Sequence, residues 1–365
     1  MVQIEDDIEL LNLMLTDTST APVEYQPTNY WRNYEKLLIP ELKEKGLNDF
    51  RRRKNSVLSS FGATDLLPIS GYKYHLPIWG IKSKSWLLIN YLSKIKLIDS
   101  FFHTVAAAYT GLNIDDIYPL CYEFARLYGI KKGAKPLENL EASDIGNPEC
   151  LFSINNKKYT LSILTYYIQY AYCCKYIDFN KIKSFMEIGS GSGKQIEVIK
   201  KLHPHIDFYI FDIPPQEYVC QQYLKSLFPD DVISYRLTRN LSKLESGNDG
   251  KIYIFPPRKI ADIENLHYDL FWNSGSFQEM EPEIVLNYLK YVNKQTTKGI
   301  FLHEAMDGQS IAAKPGAHGV LKPTQMSHYK NGLTNFKIID QSKGFSVPYI
   351  NISSSFTYWE KIVCE

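Results

Sequence analysis

The chain has no C-x-x-C pair, and its six cysteines (Cys121, Cys150, Cys173, Cys174, Cys220 and Cys364) fall at no regular spacing. A zinc site built on paired cysteines and a secreted disulfide framework are both disfavoured, and a reducing, cytoplasmic compartment is expected. No stretch reaches the ~18 uninterrupted apolar residues of a membrane span, so none is expected. An excess of one charge is missing too, since 41 basic and 40 acidic side chains leave a net charge of +1. Without a global field to gather a polyanion, nucleic acid is not an expected partner. Residues 1–15 carry Glu5, Asp6, Asp7 and Glu9 but no early positive cluster, which fits neither a secretory signal nor a transit peptide. Internal repeats and low-complexity tracts are absent.

What is present is an ordinary globular composition, 44% hydrophobic and 22% charged over 365 residues, enough for two or three packed units. Up to about residue 140 the apolar residues recur at helical spacing, for example at 86–92 and 118–124, with breaks at 27–29, 68–71 and 133–136. Within this part Arg51, Arg52, Arg53 and Lys54 read as a solvated face rather than a phosphate-contacting patch. After Gly146, Asn147 and Pro148 the texture changes, and short β-branched or aromatic strands alternate with helical stretches. Strands are expected at 184–188, 208–211, 251–255, 268–272 and 299–303, which is the alternation of a mostly parallel sheet covered by helices. Two late strands, near 335–340 and 354–361, have no crossover helix between them, so they are expected to pair antiparallel at the sheet edge.

The densest signal is Phe185-Met186-Glu187-Ile188-Gly189-Ser190-Gly191-Ser192-Gly193. Glycines at alternate positions between a strand and a helix mean a sharp turn where backbone approaches a ligand. A dinucleotide fingerprint needs a small residue at position 194, where Lys194 stands. A phosphate-binding P-loop fails at Ile188 and at Gln195, where its first glycine and its magnesium-binding hydroxyl belong. Asp212, 19 residues after Gly193 at the end of the next strand, is positioned to accept ribose hydroxyls, with helix N-capping as its bland alternative.

An acid followed by G-x-G-x-G (Glu187, Gly189, Gly191, Gly193) resembles motif I of the class I S-adenosylmethionine-dependent methyltransferases. Asp212-Ile213-Pro214-Pro215, Phe255-Pro256-Pro257 and residues 273–280 (NSGSFQEM) resemble, more narrowly, a bacterial family of sugar O-methyltransferases, from about Gly146 to the C-terminus and loosely through Phe61-Gly62-Ala63. The resemblance implies an α/β, Rossmann-like sheet, mostly parallel with an antiparallel last strand. Residues 1–150 would be a helical region that caps the acceptor site or mediates homodimerisation, and residues 151–365 the cofactor-binding domain. It implies S-adenosylmethionine held by Glu187, Gly189, Gly191, Gly193, Asp212, Ile213, Asn273 and Ser274. It also implies a sugar or sugar-conjugate acceptor, with polysaccharide biosynthesis as the setting. The D/N/S-P-P-Y/F/W motif of nucleic-acid amino-methyltransferases is lacking, because Asn273 is followed by Ser274-Gly275.

Ligands of parallel sheets bind at the carboxyl ends of strands, which makes residues 273–279 and 303–304 the catalytic candidates. A sugar hydroxyl is a weak acid and benefits from a general base. His303 is the first choice, with Glu304 orienting it or binding hydroxyls, and Glu279 the second. A metal held by Glu304 with Asp269, Asp307 or Glu279 matches no ligand spacing and is left out. His318 and His328 in late loops, and Tyr159 and Thr160 before the first strand, are weaker candidates for the pocket. An amine or phenolic acceptor, or a catalytically inactive scaffold on the same fold, remains open.

Overall fold

The computed structural model describes residues 4–66, 114–244, 249–263, 267–305, 311–344 and 354–363. The expected loop at 68–71 and helix at 86–92 lie outside the described residues, as do Asp307 and Cys364.

The strands Ser184–Ile188 (β3), Asp207–Phe211 (β4) and Tyr268–Ser274 (β7) are apolar on both faces because both faces are covered. Alternate residues divide between two cores. Phe185, Phe208, Ile210, Trp272 and Phe301 point into one, and Met186, Tyr209, Phe211, Phe271 and Leu302 into the other. On the first side lie the helices Leu161–Cys174 (α4), Lys194–Leu202 (α5) and Pro214–Leu227 (α6), and on the second Pro282–Gln295 (α7) and Met326–Gly332 (α8). With Val232–Ile233 (β5), Ile252–Phe255 (β6), Thr296–Ala305 (β8), Phe336–Lys343 (β9) and Ser354–Lys361 (β10), eight strands pair in the order β5-β6-β4-β3-β7-β8-β10-β9.

All neighbours up to β8 are parallel, while β10 runs antiparallel to both β8 and β9. The expected mostly parallel α/β sheet is thus observed, and the late pair is antiparallel. Of that pair β9 is the edge, its residues after the buried Phe336 alternating between exposed and half-buried, and β10 is the inner strand. A small hairpin of Phe152–Ile154 (β1) and Lys157–Tyr159 (β2) escaped the sequence reading, because three-residue strands are too short to show a period. Its turn is made by Asn155 and Asn156 at φ 49° and 63°, the left-handed geometry that suits a tight hairpin.

The N-terminal helices Ile8–Ser19 (α1) and Asn29–Lys45 (α2) bury Leu10, Leu11, Met14, Leu38 and Leu42 in the same apolar cluster as Val219 and Tyr223 of α6. The helix Ile114–Lys132 (α3), expected at 118–124, packs on α4. Arg51 corrects the expectation of a solvated face. It is 1% exposed, its Nε donates to Asp65 Oδ2 at 2.7 Å, and its Nη1 donates to the carbonyls of Ser143 and Ile145. Lys194 Nζ reaches the same Asp65 oxygen at 2.7 Å and the Gly62 carbonyl at 2.8 Å. Burial opposes ionisation of Asp65, but Lys194 and Arg51 overcome it and hold the carboxyl at about 2. This buried cluster ties the segment carrying Phe61 and Gly62 to the first turn of α5, directly behind the glycine turn.

Candidate active site

From β3 the chain proceeds through β4 to β6 on one side of the sheet, then crosses back to β7 on the other. The carboxyl ends of β3 and β7 are where this order reverses, and such a switch point opens a crevice. Gly189, Gly191 and Gly193 follow β3 at φ 78°, 58° and 79°, a region costly for side-chain-bearing residues. A Cβ on Gly189 would run into the Ser276 hydroxyl, and one on Gly191 would come within 2.9 Å of the Phe61 carbonyl oxygen.

The crevice is a cavity of about 470 Å³, within the ~300–1,000 Å³ of small-molecule sites. Glu187, Gly189 and Gly191 line it from the end of β3, Asp212 and Ile213 from β4, and Ser274 and Glu279 from β7. Asp212 Oδ2 accepts from Gly191 N and Oδ1 from Ile213 N, both at 2.8 Å. Ser190 adds side-chain and backbone hydrogen bonds to the same carboxyl. Burial raises the Asp212 carboxyl to about 7 against the pull of those hydrogen bonds. Glu187 is raised well above its ordinary value by burial and by the nearby Asp212 charge. Its Oε2, together with Gln195 Oε1 and both polar atoms of the Gln216 amide, is buried without a hydrogen-bond partner, and all three residues line the cavity. Native interiors seldom leave such atoms unpaired, so the site is shaped for a ligand that brings both donors and acceptors.

No protein-family model and no curated protein matches the chain. Solved structures match only weakly. Magnesium protoporphyrin IX methyltransferase from Synechocystis PCC 6803 with bound SAH is 11% identical at a TM-score of 0.38, over 55% of this chain and 84% of that one. Mitomycin 7-O-methyltransferase is 11% identical at 0.35, over 67% and 68%. The pyocyanin biosynthetic protein PhzM is 12% identical at 0.35, over 55% of this chain and 58% of its own length. Likeness at this level carries no argument about what the chain does, which leaves the site to speak for itself.

Three expected site residues do not reach the cavity. Gly193 faces α6, where a Cβ would stand 3.0 Å from Cys220 Sγ and from Leu224 Cγ, so its lack of a side chain serves helix packing. Asn273 is fully buried, its Nδ2 donating to the Ile188 carbonyl at 2.8 Å and to Ser276 Oγ at 2.6 Å, and its Oδ1 accepting from Phe277 N. It pins the β7 turn against the end of β3. Glu304 cannot orient His303, because consecutive strand residues face opposite sides of a sheet. Its Oε2 accepts from Tyr329 OH at 2.6 Å in the second core, and burial raises it to about 8.

His303 does line the cavity, but both ring nitrogens are engaged, Nδ1 with Ser274 Oγ at 2.9 Å and Nε2 with Ser354 Oγ at 3.0 Å. Burial lowers it to about 4, making it a weak base. Glu279 is raised by burial, opposed by the hydrogen bond that Trp31 Nε1 donates to its Oε2 at 3.1 Å, and reaches about 8. Asp269 bonds to Lys183 N and Thr297 at the opposite end of β7, and among the described residues no three His, Cys, Asp or Glu side chains converge as a metal site. His318 bonds to Tyr34 OH, His328 caps α8, Tyr159 packs on Tyr122 and Thr160 caps α4, and none of these lines the cavity. Trp31, Tyr166, Gln195 and Gln216 do line it and were missed, since none belongs to a motif.

Proposed function

We propose that the chain is an S-adenosylmethionine-dependent O-methyltransferase acting on a hydroxyl of a sugar or sugar-conjugated small molecule. The observation that carries this reading is that the side-chain-free bend at Gly189 and Gly191 and the Asp212 carboxylate line one cavity with Glu187. Unpaired polar atoms on Glu187, Gln195 and Gln216 fit a ligand rich in donors and acceptors. Glu187 would hold the cationic amino end, Asp212 both ribose hydroxyls, and the Gly189–Gly191 backbone the methionine portion. When bound, the cofactor supplies a methyl group on a sulfonium, which transfers to the acceptor oxygen in line.

The protein's part is to align, to exclude water and to move one proton. Trp31 and Phe61, from the N-terminal 150 residues, line the same cavity, and aromatic side chains there would suit the apolar face of a sugar. This supports a capping role for that region. Glu279 takes the acceptor's proton, since it lines the cavity and burial raises its carboxyl to about 8, which makes it a stronger base than an ordinary carboxylate. Calorimetry should detect S-adenosylmethionine binding, and Asp212→Ala should weaken it by more than the ~1–3 kcal/mol of one charge-assisted hydrogen bond, because two hydroxyls lose their acceptor. Labelled methyl transfer against nucleotide sugars and host glycans, read by mass, identifies the acceptor. No binding at millimolar cofactor would overturn the reading.

A further inference from the structure

Gln216 stands one helical turn beyond Asp212, at the third residue of α6, and lines the same cavity with a side chain only 1% exposed. Neither Nε2 nor Oε1 of its amide has a hydrogen-bond partner. Phe211, Ile213 and Pro257 line the same cavity with apolar groups. Pro256 and Pro257 follow β6 and Pro214 and Pro215 open α6, so none of these four residues has a backbone N–H to offer a ligand. An unpaired donor and acceptor side by side in this cavity match the edge of adenine, whose amino group donates and whose neighbouring ring nitrogen accepts. A glutamine amide pairs with both at once.

We infer that Gln216 is the residue that reads the nucleobase of the bound nucleoside, selecting adenine through a two-point amide contact. This rests on the proposed methyltransferase reading, in which the ribose sits on Asp212 beside it. The contact is a binding determinant and takes no part in the chemistry of methyl transfer.

The test uses the full chain, S-adenosylhomocysteine, and its analogue with unsubstituted purine in place of adenine. Calorimetry on the wild type should give binding of S-adenosylhomocysteine roughly ten- to a hundredfold tighter than of the analogue, the discrimination typical of a bidentate base contact. Gln216→Met keeps the length and removes the hydrogen bonds, and should bind both ligands with the same, weaker affinity, so that the ratio collapses to near one. Thermal melts of the ligand-free variant should match the wild type or exceed it, since an unpaired buried amide is removed. If Gln216→Met binds S-adenosylhomocysteine as the wild type does, or keeps the wild-type ratio, the inference fails while the cofactor reading stands. If the wild type binds neither ligand, both fail together.

Discussion

Replacing Asp212 by asparagine separates the cost of the site from its use. In the ligand-free protein burial carries this carboxyl from its ordinary 3.8 to about 7. Between those values the folded chain keeps a proton that the unfolded chain has released. The stability associated with that proton is fully present below pH 3.8 and is lost as pH rises to 7. At ~1.4 kcal/mol per tenfold change in proton affinity, the loss is about 4 kcal/mol by pH 8 and less than half of that at pH 5. Asparagine does not titrate and escapes this loss. It keeps an acceptor for only one of the Gly191 and Ile213 N–H groups, at a cost of ~1–3 kcal/mol that does not vary with pH. The Asp212 charge also raises Glu187, so the variant relieves that carboxyl too, a change in the same direction.

Between pH 5 and pH 8 the stability difference should therefore move by nearly 3 kcal/mol in favour of Asp212→Asn. For 365 residues unfolding entropy is ~0.8 kcal/mol/K, so the Tm difference should move by ~3–4 °C. Differential scanning calorimetry of both ligand-free proteins at pH 5, 6, 7 and 8 measures it. A Tm difference that stays constant across this range would refute the reasoning. The same linkage makes binding of the cationic cofactor release a proton, so wild-type affinity should strengthen as pH rises towards 7, and Asp212→Asn should lose the share of that dependence that Asp212 carries.

Glu279→Gln should lower the methyl-transfer rate ~10²–10⁴-fold while leaving S-adenosylmethionine affinity in place. The wild-type rate should rise with pH and level off above about 8, where Glu279 is ionised; unchanged activity in the variant would favour an amine acceptor, which needs no strong base. Asp65→Asn leaves Arg51 and Lys194 buried without their counter-charge and should cost ~3–5 kcal/mol, seen as a lower denaturation midpoint. Because Asp65 is held low, its contribution is present above pH 3.8 and fades as pH falls towards 2, so the variant's deficit should shrink in acid. Gly193→Ala should lower Tm with little change in the affinity of whatever cofactor remains bound to folded protein, whereas Gly191→Ala, pressed against the Phe61 carbonyl, should weaken binding as well. Equal effects of the two on affinity would contradict the packing role of Gly193.

Much of the architecture could be read along the chain because the deciding signals are local. Apolar strands with helical stretches between them forecast the parallel sheet, and the glycine bend with an acid one strand later forecast which loops would meet, since a strand's end and the turn after it are neighbours in sequence. Direction of side chains was not legible. The one-residue alternation along β8 sends His303 to the cavity and Glu304 to the second core, and only the register with β7 and β10 decides which goes where. Lys194 and Arg51 read as ordinary charges until Asp65, from a distant segment, draws both inside. Trp31 and Gln216 carry no motif, because a wall residue needs only to be in the right place. The sequence alone determined where most strands fall and the positions where backbone must bend without side chains; long-range packing determined which side chains line the cavity and left polar atoms of Glu187, Gln195 and Gln216 unpaired there.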